Sequence, residues 1–92
     1  MSESLERRRL PRYPVYLELV YRLPEVGDWH SARLLSAGEN GGFISLGKDA
    51  LPEVGSILIL RLPAGYDAWE VSAKVCWHSE HEPRGVGLEF ED

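Results

Sequence analysis

Apolar residues in this chain recur at every second position, in short runs broken by glycine, proline and acidic residues. A period of two places successive side chains on opposite faces of a strand. From Val15 to Leu23, residues Val15, Leu17, Leu19 and Tyr21 share one face, and Tyr16, Glu18, Val20 and Arg22 share the other. Trp29 to Leu35 predicts a second strand with Ala32 and Leu34 inward, and Phe43 to Leu46 a short third one. Ser56 to Leu62 predicts a fourth, with Leu58, Leu60 and Leu62 on one face and Arg61 opposite. Trp69 to His78 predicts a fifth, with Val71, Ala73, Val75 and Trp77 inward and Cys76 outward. Gly85 to Phe90 predicts a sixth, with Val86, Leu88 and Phe90 inward and Gly85, Gly87 and Glu89 outward.

The intervening stretches carry turn chemistry. Ser36 to Gly42 holds Gly38, Gly41 and Gly42 and is expected to be a loop in which at least one glycine takes a positive φ. Six short strands with turns between them, and no helical period, predict an all-β antiparallel barrel or sandwich. Closure would remove the exposed edges that such short strands leave.

The 92 residues suit one domain, with residues 1–12 as a flexible basic arm and 13–92 as the barrel. Net charge is −5, unevenly spread. Residues 1–12 carry four arginines against Glu3 and Glu6, a balance of +2, and the remainder carries −7. An acidic body repels a long polyanion, so general nucleic-acid binding is disfavoured. A basic arm on such a body fits a compact anion held in one place. Pro11 and Pro14 keep the arm from continuing as a helix.

Other chemistry is sparse. Cys76 is the one cysteine, so no disulfide can form within the chain, and no histidine is placed to activate its thiol. His78 and His81 with Glu80 and Glu82 lack a fourth ligand at metal-site spacing and read as a solvated turn. The glycines at 38, 41 and 42 lack the Lys-Ser/Thr and helix of a P-loop. Asp67, Glu70 and Glu89 are not paired as acid and base. The expectation is a protein with no catalytic residues, no metal and no bound cofactor. No apolar run approaches the ~20 residues of a membrane span, and the N-terminus has no apolar signal core, so a cytoplasmic location is expected. Of the tryptophans, Trp77 is expected in the core, and Trp29 and Trp69 on an exposed patch suited to a protein partner.

Four stretches, taken in order, resemble the PilZ domain family. Arg8 and Arg12 match its RxxxR, leading directly into a strand in ERRRLPRYPVYLELVY. SAGENGGFIS resembles its second motif, [D/N]xSxxG. LPEVGSILILRLP resembles its glycine, apolar strand and Leu-Pro segment, and WEVSAKVCWHS with RGVGLEF its final hairpin. The resemblance implies a six-stranded antiparallel β-barrel with an extended arginine arm that binds cyclic di-GMP, a bacterial second messenger, and relays it to a protein partner. It implies a site built from Arg8 and Arg12, with Arg7 and Arg9 as helpers, and from the loop residues Ser36, Gly38, Asn40 and Gly41.

The second motif departs from the pattern in either of two registers. With Gly41 as the motif glycine, Ser36 stands for the acid or amide and Gly38 for the serine. With Ser36 as the motif serine, Leu34 and Glu39 are the departures. The first register is preferred because it runs into the third strand without an insertion. The alternative function is a degenerate domain that leaves cyclic di-GMP unbound and works as a protein-interaction adaptor.

Overall fold

The computed structural model describes residues 12–63 and 68–91. Six strands follow one another: β1 (Arg12–Arg22), β2 (His30–Gly38), β3 (Gly41–Ser45), β4 (Ile57–Leu62), β5 (Trp69–Ser79) and β6 (Gly85–Glu91). All pair antiparallel, in the spatial order β1-β2-β3-β6-β5-β4, and β4 returns to β1 to close the barrel. The expected six-stranded antiparallel β-barrel is therefore the fold.

The core takes two inward residues from each strand or its immediate end. These are Leu19 and Tyr21, Ala32 and Leu34, Ile44 and Leu46, Leu58 and Leu60, Ala73 and Val75, and Val86 and Leu88. Burying each large aliphatic side chain contributes about 1.5–3 kcal/mol. Leu17, Leu23, Ala37, Leu51, Leu62 and Phe90 pack against this cluster at its margins. The sequence alternation thus selects the correct inward face over most of the five strands other than β3.

It fails at two places, both next to bulges. Trp77, expected in the core, is 43% exposed. Val75 pairs with Leu88 and Trp77 with Gly87, so Cys76 is an extra residue in β5. One inserted residue moves everything beyond it to the other face. Val15, expected inward, is exposed. Val15 and Tyr16 together stand opposite Leu35, between the pairs Pro14–Ser36 and Leu17–Leu34. They also precede the point where β4 joins, since β4 pairs with β1 only through Val20–Arg22. This part of β1 therefore lies outside the closed core. Pro14 is tolerated there because β1 has a pairing partner on one side only.

The Ser36–Gly42 loop is a second correction. β2 continues to Gly38 and β3 begins at Gly41, leaving only Glu39 and Asn40 between them. Neither Gly41 nor Gly42 takes a positive φ. Positive φ occurs at Gly47 (63°) and Gly55 (97°), in the long β3–β4 connection. The first strand begins at Arg12.

The two barrel ends differ. The β2–β3 turn, the start of β1, the end of β4 and the start of β5 lie at one end. The β1–β2, β3–β4 and β5–β6 connections lie at the other.

Candidate functional site

The strand register gathers the candidate residues at the first of these ends, on the outer face of the barrel. Arg12 pairs with Gly38, Tyr13 with Ala37 and Pro14 with Ser36. The last arginine of the arm is therefore backbone-paired to the second motif. Arg7, Arg8 and Arg9 lie outside the described residues.

A transverse row crosses five strands: Pro14 pairs with Ser36, Ser36 with Phe43, Phe43 with Gly87, and Gly87 with Trp77. These residues face outward because the bulges at Leu35 and Cys76 reverse the alternation that buries Leu34 and Val75. A neighbouring outward row pairs Gly41 with Glu89 and Glu89 with Lys74. Both of these side chains are exposed.

Trp77 stacks on Phe43, with ring centroids 5.4 Å apart and planes inclined by 19°. Phe43 is buried by this contact on the outside of the barrel, and Trp77 keeps a free face toward solvent. The indole also lies over Gly87, where a Cβ would collide with the ring. The result is a flat aromatic shelf beside Ser36. Base stacking on such a ring contributes about 1–3 kcal/mol.

The glycines of the hairpin have structural reasons of their own. A Cβ at Gly41 would run into the Leu88 carbonyl, and one at Gly42 into that of Ser36. Close backbone approach, rather than turn geometry, explains them. Asn40 sits at the exposed turn, and its carbonyl accepts a hydrogen bond from the Phe90 N–H at 2.8 Å. That bond ties the turn to β6.

The two motif registers put their acid or amide at positions that differ in burial. Leu34 is a core residue at 5% exposure, so a carboxylate there would be buried without a partner. Position 36 is on the outer row and accepts a polar side chain.

The sequence reading did not place Trp77, or Phe43 beneath it, on this outer face. One signal was available, since an aromatic in one strand and a glycine in the strand of the same hairpin commonly pair, the ring covering the bare backbone.

Comparison with known proteins agrees with this architecture. The family model for the PilZ domain matches residues 6–92. No curated protein sequence matches the chain. Among solved structures, the Bacillus subtilis inhibitor of motility (MotI/DgrA) is similar in fold, with a TM-score of 0.70 at 19% identity over 94% of this chain. The chain corresponds to 43% of the length of that structure.

Proposed function

The chain belongs to the PilZ domain family, and on that premise we propose that its outer face binds cyclic di-GMP and passes the signal to a protein partner. The observation that carries this reading is the register. It sets Arg12 against Gly38, and puts Ser36 in one row with the Phe43–Trp77 stack.

Each residue has a role that its chemistry suits. Arg8 and Arg12 supply planar donor forks that fit a phosphate, or guanine O6 and N7, bidentately. Arg7 and Arg9 add positive charge near a dianionic ligand. Ser36 offers a hydroxyl where the family has a carboxylate or amide for guanine N1–H and N2–H. Gly38, Asn40 and Gly41 shape the backbone of the hairpin, and Trp77 offers a stacking surface for a base. An arm seated with the ligand on this face changes the surface that a partner meets, which is how binding becomes a signal without a chemical step.

Ser36 also favours a second reading. Losing one charge-assisted hydrogen bond costs about 1.5–3 kcal/mol, roughly ten- to a hundredfold in affinity. On this reading the barrel is an adaptor that leaves cyclic di-GMP unbound and uses its exposed aromatics, Trp77 and Trp69 among them, against a protein. Calorimetric titration with cyclic di-GMP separates the two. Saturable heat, with a change in tryptophan emission, supports the effector. Absence of heat at millimolar ligand, with the protein folded by circular dichroism, leaves the adaptor. Motility, named for the Bacillus subtilis neighbour, is the first output to assay.

A further inference from the structure

A cavity of about 460 Å³ opens at the barrel end opposite the β2–β3 turn. Tyr21, Leu23, Val26 and Leu51 give it an apolar lining, and Asp28, His30, Asp49 and Glu53 supply its ionisable groups. Arg12 and Tyr21 are separated by nine positions along β1, or about 30 Å at 3.3 Å per residue. The cavity shares no lining residue with the outer face discussed above.

Its wall is held in place. The β3–β4 connection, which forms one side, has no strand or helix of its own, yet residues of β5 and the β5–β6 turn pin it. His78 Nε2 lies 2.6 Å from the Pro52 carbonyl. Arg84 Nη1 donates to the carbonyls of Gly47 and Asp49, at 2.9 and 2.6 Å. The Leu46 N–H donates to the Arg84 carbonyl at 3.0 Å. A loop held from three points keeps its cavity open without a ligand, as binding pockets of this size do. At the floor, Tyr21 is 4% exposed and its ring lies 5.3 Å from that of His30. His30 Nδ1 is 4.0 Å from Asp49 Oδ2.

We infer that this cavity is a second binding site, for a small organic cation with an apolar body, such as an arylalkylamine or alkylamine. Three carboxylates against one imidazole select for positive charge. The apolar lining calls for a hydrocarbon body.

The test is a chemical-shift titration of the whole chain with 2-phenylethylamine, n-hexylamine and agmatine, against 2-phenylethanol and 3-phenylpropionate. The expected result is saturable shifts at Tyr21, His30 and Leu51 with at least one amine, and at least tenfold weaker binding of the neutral and anionic analogues. Asp49→Asn should weaken amine binding about tenfold, and Ala50→Trp, which fills the mouth from an exposed lining position, should abolish it. Neither change should alter a titration with cyclic di-GMP. Equal binding of 2-phenylethanol, or shifts that stay linear to high millimolar concentration with all three amines, would overturn the inference.

Discussion

Trp77 lies flat over Gly87, its cross-strand partner, and fills the space that any side chain at position 87 would need. An alanine there forces the indole off the β6 backbone and off Phe43. The ring is partly exposed and free to swing outward, so the fold survives. The expected outcome for Gly87→Ala is a loss of about 1–3 kcal/mol in urea denaturation, typical of overpacking, with a red-shifted tryptophan emission and weaker cyclic di-GMP binding. Unchanged emission would show that the ring does not depend on the glycine.

Gly41→Ala should behave differently. Its Cβ would meet the Leu88 backbone carbonyl, which cannot swing aside. The β3–β6 pairing must shift, and stability should fall by more than in Gly87→Ala. A melting comparison of the two variants checks the order. The same result cautions that lost ligand binding in Gly41→Ala would report a damaged hairpin rather than a lost contact.

The arginines should separate cleanly from stability. Arg8→Ala and Arg12→Ala are each expected to remove detectable cyclic di-GMP binding in calorimetry and to leave the melting temperature almost unchanged. The reasoning is that Arg12 joins the barrel through its backbone pairing with Gly38, which alanine retains. A large drop in melting temperature in either variant would make the arm structural.

The fold was readable because ten of the twelve core residues were placed on the inward face by alternation alone. Ile44 and Leu46 complete the set within a run too short to show a period. What alternation does not reveal is a bulge, because one extra residue leaves composition unchanged while reversing every face beyond it. Trp77 was therefore read into the core, and the stack on Phe43 was invisible. The hairpin glycines were misread for a related reason. Glycine marks either a positive φ or a close backbone approach, and only the spatial neighbours, Leu88 and Ser36, tell which. The pairing of Arg12 with Gly38 joins residues far apart in sequence, and the register of β1 on β2, bulge included, decides it.

Tyr21 predicts an alkaline limit to stability. Burial, with the Asp49 carboxylate next in importance, pushes its phenol up to about 12. In the unfolded chain the phenol releases its proton near 10. Between these values the folded chain keeps a proton that the unfolded chain has lost, so stability falls as pH rises through that window and is fully present below it. The urea midpoint of the wild type should drop from below pH 10 toward pH 12, and Tyr21→Phe should flatten that drop. An equal alkaline slope in the variant would assign the limit to other groups. A spectrophotometric tyrosinate titration should show one late component that Tyr21→Phe removes.

The strongest test of the outer-face site is to restore what its second motif lacks. Position 36 lies on the outward row beside Phe43, so an aspartate there stays solvated when the site is empty. With ligand bound, its carboxylate can accept from guanine N1–H and N2–H. Ser36→Asp with Gly38→Ser should therefore tighten cyclic di-GMP binding by the value of one charge-assisted bond, about 1.5–3 kcal/mol, or roughly ten- to a hundredfold. The competing register would call for an acid at Leu34 instead. That side chain is in the core, and Leu34→Asp should destabilise the barrel by leaving a buried, unpaired carboxylate. Tighter binding in the first variant and unfolding in the second would fix the register. No gain from the double substitution, in a folded protein that still binds, would mean that the guanine edge is read by some other residue on this face.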